Sequence, residues 1–378
     1  MTANLVDLLQ DTPANDELTL TEETHLHTPY TRQHGVRINR NGKKLWLTQP
    51  LTFAPLNPAE TMKLLGPGPI QWTKANAGNE RALIMKGGFE IEDAQVLLDV
   101  SRSGSNLSFS APAWLIEIDA PDACAPARID GVSASGNFQY GAGFLNGKQC
   151  AGLEALEVAG GPLRYIHGGI ILVGARHTRI KHVATQHVSW TSFFANLFED
   201  LEFFYTSASI SGDGTSGDGM MIGSGNGLRV IGHRNKFGSC YGGLVKPDAN
   251  IPLVNALFEN CDFSAGLTAG FFGQGYSASQ RIEGLTITGC QFAYNGGRAV
   301  QLRNVNGLRV MFNEFCHNNN SNLDDGSQIA FVDANNMPTS NALANVHVAE
   351  WHHNSRVKQY GTEFSPPVED YKLPYVPI

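Results

Sequence analysis

Two aspartates stand in the glycine-rich stretch Ser211 to Gly223, SGDGTSGDGMMIG, which repeats Gly-Asp-Gly within eight residues. Carboxylates at Asp213 and Asp218 can serve acid–base chemistry or bind a cation, and Gly212, Gly214 and Gly217 spell G-x-G-x-x-G. A dinucleotide fingerprint must follow a strand and open a helix, so that pyrophosphate meets the helix N-terminus. Here MMIGSGNG comes next, a strand and then a turn, which argues against a nucleotide. An EF-hand loop needs oxygen ligands at alternate positions and a late Glu, and a calcium roll needs many copies of its motif. Two readings remain: a turn-rich excursion between strands, and a catalytic or substrate-binding loop.

Glycoside hydrolysis asks for two carboxyls about 5–9.5 Å apart. Asp218 and Asp248 would lie about 20 Å apart along an extended strand at ~3.3 Å per residue. Glu199 or Asp200 with Asp248, and the pair Asp324 and Asp325, are further acids beside strand ends. Asp213, Asp218 and Asp248 are the catalytic candidates. The histidines contain no H-E-x-x-H; His182 and His187 lack a defined third ligand, and His352 and His353 lie near the end of the repeats. No metal and no cofactor are expected.

The elements that must position these groups repeat along the chain. From residue 150 onward a small or turn-forming run precedes four or five mostly apolar residues. The segments align on Ile170, Phe194, Met220, Leu244, Phe271, Ala299 and Ile329, 24 to 30 residues apart. In a second column, alternating apolar residues end at Phe237, Phe263, Phe292 and Phe315. Two strand-like segments per ~26 residues, rich in Gly, Asn and Thr, suit neither helical solenoids nor propeller blades of roughly 40–45 residues. They predict a parallel β-helix, each coil stacked about 4.8 Å above the last. Like residues then form columns: Phe263, Phe292 and Phe315 inward, with Cys261 beside Cys290. On the recurrent strand, Lys246, Gln274, Gln301 and Arg303 form a polar column near Tyr241, Phe271, Phe272 and Tyr276. Rings stack on sugar C–H faces while amides and charges bond hydroxyls, so Tyr241, Lys246, Gln274, Tyr276, Gln301 and Arg303 are the glycan-binding candidates.

Composition agrees with a strand-rich chain. Of 378 residues, 41 are Gly and 20 Phe while only 16% are charged, which favours tight turns and pleated apolar faces. Net charge is −8 without a basic block, so nucleic acid is not an expected partner. GGIILVGA (168–175) is too short to span a bilayer, and the N-terminus lacks a signal-peptide pattern. The expectation is a soluble chain made in the cytosol. The six cysteines show no C-x-x-C pair and read as reduced, buried thiols. ANLVDLLQD (3–11) reads as an amphipathic helix capping the core, RNGKK (40–44) as a hairpin or tight turn, and the chain after Asn354 as an extended tail. The expected organisation is 1–60, cap and first strands; 61–354, β-helix; 355–378, tail.

The coil pattern, with Gly before a short strand and N-x-F-like corners, resembles right-handed parallel β-helix proteins of the pectate-lyase-like superfamily, which includes polygalacturonases, pectate lyases and phage tailspikes. SGDGMMIG resembles the first polygalacturonase motif, placing Asp218 at its aspartate. CYGGLVK and LTAGFFG stand where Asp-Asp and Gly-His-Gly would come, and RIK (179–181) precedes the others, so that motif chain is broken. The resemblance implies an all-β, single-stranded right-handed parallel β-helix. It implies a virion-type, tailspike-like or decoration-like surface protein binding a polysaccharide or cell-surface glycan, as a homotrimer through its tail and beside other virion proteins. The alternative is a polysaccharide hydrolase or lyase on the same fold.

Overall fold

A computed structural model describes residues 2–74, 81–100, 113–119, 127–130, 132–138, 142–147, 156–160, 166–211, 218–235, 241–248, 250–275, 280–316, 318, 327–331, 343–344, 347–352 and 356–357. The chain packs as two compact units, Met1–Phe193 and Phe194–Ile378. Each is wound as a parallel β-helix, and the fold is the right-handed parallel β-helix the repeats predict.

In the first unit the sole helix among the described residues is α1, Leu5–Asp11. Asn4 caps it by accepting from the Val6 amide at 3.2 Å, and Leu5 and Leu9 are fully buried beneath it. The helix C-terminus is tied down by Arg32, which donates to the carbonyls of Leu9, Thr12 (2.9 Å) and Pro13 (3.0 Å). Strands Asp16–Thr19, Val36–Asn39, Thr61–Leu65, Gly88–Glu92 and Arg128–Asp130 form one parallel face. Its inward column Ile38, Leu64, Ile91, Ile129 is fully buried. The stretch RNGKK is a tight turn, with Asn41 and Gly42 at positive φ, but it is not a hairpin. Val36–Asn39 and Leu45–Leu47 join different parallel neighbours, and Arg40 between them is buried. Its guanidinium donates to the carbonyls of Leu64 (3.3 Å), Gly66, Glu92 (2.6 Å) and Asp93 (3.2 Å), clasping successive coils. Burial lowers its pKa to about 10, against the raising charge of Asp93.

In the second unit each coil contributes three strands. The first face stacks Asp218–Ile222, Tyr241–Val245, Ala269–Gln274, Val300–Arg303, Ser327–Phe331 and Arg356–Val357, all parallel. The second stacks Phe198–Phe204, Gly225–Ile231, Leu253–Glu259, Ile282–Thr288 and Arg309–Cys316. The third is short, with Arg234–Asn235, Asp262–Phe263 and Gln291–Ala293. Phe263, Phe292 and Phe315 have no exposure and stack at 5.9 and 5.2 Å, as the repeat required. Cys261 and Cys290 lie one coil apart in the core, both free thiols, and burial together with Cys290 pushes the Cys261 thiol up. Fully burying one Phe contributes roughly 1.5–3 kcal/mol, so this column is a main source of cohesion between coils.

The alignment on the first face is corrected by one residue at two positions. Met220 pairs with Gly243, not Leu244, and Phe271 with Val300, not Ala299. Phe193, not Phe194, is the fully buried member of its pair. Phe237, Asp213, Tyr276, Asp324, Asp325 and the tail beyond Val357 lie outside the described residues.

Candidate functional site

The first face of the second unit gathers most of the predicted site residues, and the corner before it explains how. A Cβ on Gly219 would run into Asn235 Oδ1, and one on Gly242 would lie 3.2 Å from Phe263 Cα, so both positions face the interior. A Cβ on Gly243 would meet Phe263 and Phe271, so it too faces inward. With two consecutive inward positions at the corner, the neighbours on either side face outward. Asp218 and its partner Tyr241 therefore open the outer face, followed by the column Met221, Leu244, Phe272 and Gln301. A third column holds Gln274 opposite Arg303, with Lys246 at the next register position beyond the Val245–Gly273 pair. Acid stands at one edge, apolar and aromatic groups in the middle, and cations at the other edge.

Asp218 is only 6% exposed although it faces outward. Burial pushes its carboxyl up to about 7 from an ordinary 3.8, with the Tyr241 backbone N–H and the charge of Lys246 pulling the other way. A carboxyl held there exchanges a proton near neutrality, the property of a general acid or base. The Tyr241 ring packs on Phe272 with centroids 5.4 Å apart, and the Arg303 guanidinium lies 5.7 Å from the Phe272 centroid. Phe272 and Arg303 are 3% and 4% exposed; Gln274 and Gln301 are half-buried and Lys246 is exposed.

Asp248 is set apart from this cluster. It is exposed, its carboxylate accepts from Asn196 Nδ2 at 2.6 Å, and its amide donates to Ser224 Oγ at 2.7 Å. The Ser224 hydroxyl donates in turn to the Ile251 carbonyl, and Asn196 Oδ1 accepts from the amides of Leu197 and Ser224. This clasp fixes the turn that carries Lys246 and Pro247. Asn196 and Ser224 carried no motif in the sequence; their partners are 52 and 24 residues away. Among the described residues no three of His, Cys, Asp or Glu converge to hold a metal ion. No helix among them is long and apolar enough to cross a membrane.

No family model matches the chain, and no curated protein matches it. Among solved structures, a periplasmic alginate epimerase aligns over 96% of this chain and 84% of its own, with 10% identity and a TM-score of 0.44. The A-module of an Azotobacter vinelandii mannuronan C-5 epimerase aligns over 92% and 91%, with 11% identity and a TM-score of 0.42. The catalytic domain of a GH87 alpha-1,3-glucanase in complex with nigerose aligns over 86% and 64%, with 9% identity and a TM-score of 0.32. At such identities and scores the likeness carries nothing about activity.

Proposed function

We propose that the protein acts chemically on a polysaccharide, with Asp218 transferring a proton at the glycosidic linkage. The observation that carries this reading is the Asp218 carboxyl: buried, raised to about 7, and bonded by the backbone N–H of Tyr241, its register partner on the next coil. Hydrolysis and β-elimination both need a proton delivered to or removed from a sugar, and a carboxyl half-protonated at pH 7 serves either direction. Tyr241 offers a partly exposed ring for a sugar, backed by the buried Phe272 and Arg303, while Gln274, Gln301 and Lys246 offer donors for hydroxyl or carboxylate oxygens. Asp213 is the neighbouring acid in the chain and the proposed partner carboxylate. In this reading Asp248, bonded to Asn196 and Ser224, has a positioning role.

The test is turnover on a polysaccharide panel, read as new reducing ends and as unsaturated products absorbing in the ultraviolet. Wild type is expected to cleave at least one polymer and Asp218→Asn to lose at least a hundredfold in kcat with its fold intact, since only the acid–base function is removed. Full activity of Asp218→Asn would remove that residue from the chemistry. A second reading keeps the face as a binding surface only, as in the virion-type role. It draws on the aromatic–polar mixture alone, and binding without product formation by wild type would favour it.

A further inference from the structure

A second recess lies on the second face of the same unit, away from the columns that carry Asp218. Asp200, Gly227, Asn255, Gly284 and Gly307 occupy the same register position in five successive coils and all adopt left-handed backbone, with φ from 55° to 74°. Glycine, aspartate and asparagine are the residues that tolerate this region. Every strand bends at the same point, so the bends stack into one channel running across the strands, along the direction in which coils are added. Four coil steps of about 4.8 Å make it roughly 19 Å long.

The channel has polar walls as well as a backbone floor. Two positions beyond the bend, Arg229, Leu257, Thr286 and Arg309 stand in register as one wall. The Asp200 and Asn255 side chains line the recess from the bend itself, and Asn255 Nδ2 donates to Asn226 Oδ1 at 3.2 Å. The recess is an open groove offering about 660 Å³. Donors (Arg229, Asn255, Arg309) and acceptors (Asp200, Asn255, Thr286) alternate along it, with Leu257 as the apolar contact between the two arginines. Arg229 is matched by Glu202 at 2.7 Å, and with Asp200 at one end and Arg309 at the other the channel carries no net charge, so it does not select for a polyanion. An extended peptide would bind through an open sheet edge, and these strands are paired on both sides.

We propose that this recess is a second, non-catalytic binding surface for a linear neutral polysaccharide, its hydroxyls meeting the repeating polar groups coil by coil. The inference stands on this face alone and does not require that the first face be an enzyme. The experiment uses full-length Asp218→Asn protein, so that no probe is consumed. It is run by affinity electrophoresis in gels containing soluble starch, a soluble β-1,3-glucan, or alginate, at 50 mM and 500 mM NaCl. At least one neutral glucan is expected to retard the protein equally at both salt concentrations, since hydroxyl contacts are not screened. Adding Asn255→Gly, which keeps the left-handed backbone, and Arg309→Ala should weaken that retardation at least tenfold while the melting temperature holds. In the otherwise wild-type chain the same two changes should leave turnover of a short oligosaccharide unaltered. No retardation by either glucan, retardation by alginate alone that vanishes at 500 mM NaCl, or undiminished binding in the double variant would each overturn the proposal.

Discussion

The sharpest expectation concerns how stability responds to pH when Asp218 is replaced by Asn. In the folded chain its carboxyl titrates near 7, against 3.8 in an unperturbed chain. That gap is about 3 pH units, on the order of 4 kcal/mol at 1.36 kcal/mol per unit. Because the folded value is raised, the folded state holds the proton that the unfolded chain releases. Stability from this group is full below about 3.8 and is lost progressively as pH rises to about 7. His233 runs in the opposite sense. Fully buried, with Nδ1 2.9 Å from Thr206 Oγ1, it is pushed by burial from 6.5 down to about 3. Its contribution is full above 6.5 and is lost as pH falls toward 3. Between about 4 and 6.5 the two slopes nearly cancel, so the wild type should show little pH dependence from these two groups. Asp218→Asn removes one slope and uncovers the other. Urea midpoints of wild type and variant, measured from pH 4 to pH 8, should diverge steadily. The variant gains on the order of 4 kcal/mol relative to wild type across that range, less whatever the Tyr241 N–H loses in bonding an amide oxygen. Parallel curves for the two proteins would mean that Asp218 titrates as an ordinary carboxylate, and the acid–base reading of the first face would fall with it.

Phe292→Ala should cost about 3–5 kcal/mol in urea unfolding, because both ring neighbours, Phe263 and Phe315, lose a stacked partner in a closed core. A loss below about 1 kcal/mol would contradict the column. Asn196→Ala should cost about 1–3 kcal/mol by leaving the Ser224 amide and the Asp248 carboxylate without that acceptor and donor. Gly219→Ala should destabilise the corner, since the added methyl meets Asn235 Oδ1 and lies 2.8 Å from the Gly242 carbonyl; an unchanged melting temperature would refute the inward placement of that position.

How far the sequence disclosed the fold is set by the physics of stacked coils. Inward positions demand apolar residues in every turn, so Phe263, Phe292 and Phe315, with Cys261 and Cys290, were legible as columns from spacing alone. The off-by-one pairings of Leu244 and Ala299 arise where that rule breaks. At the corner Gly242 and Gly243 both face inward, and period-two alternation carried through such a corner assigns the wrong face to the residues after it. Of the expected polar column, Lys246, Gln274 and Arg303 share one register position, whereas Gln301 falls two residues earlier, in line with Leu244 and Phe272. The role of Arg40 left no mark in RNGKK, because the carbonyls it clasps come from later coils. The titration of Asp218 was invisible for the same cause. Its residue type and the glycines around it mark a turn acid, whereas its proton affinity depends on burial within the folded unit. Sequence periodicity thus reports which residues share a column. It is silent on how much water each column retains, and at Asp218 that second quantity sets the chemistry.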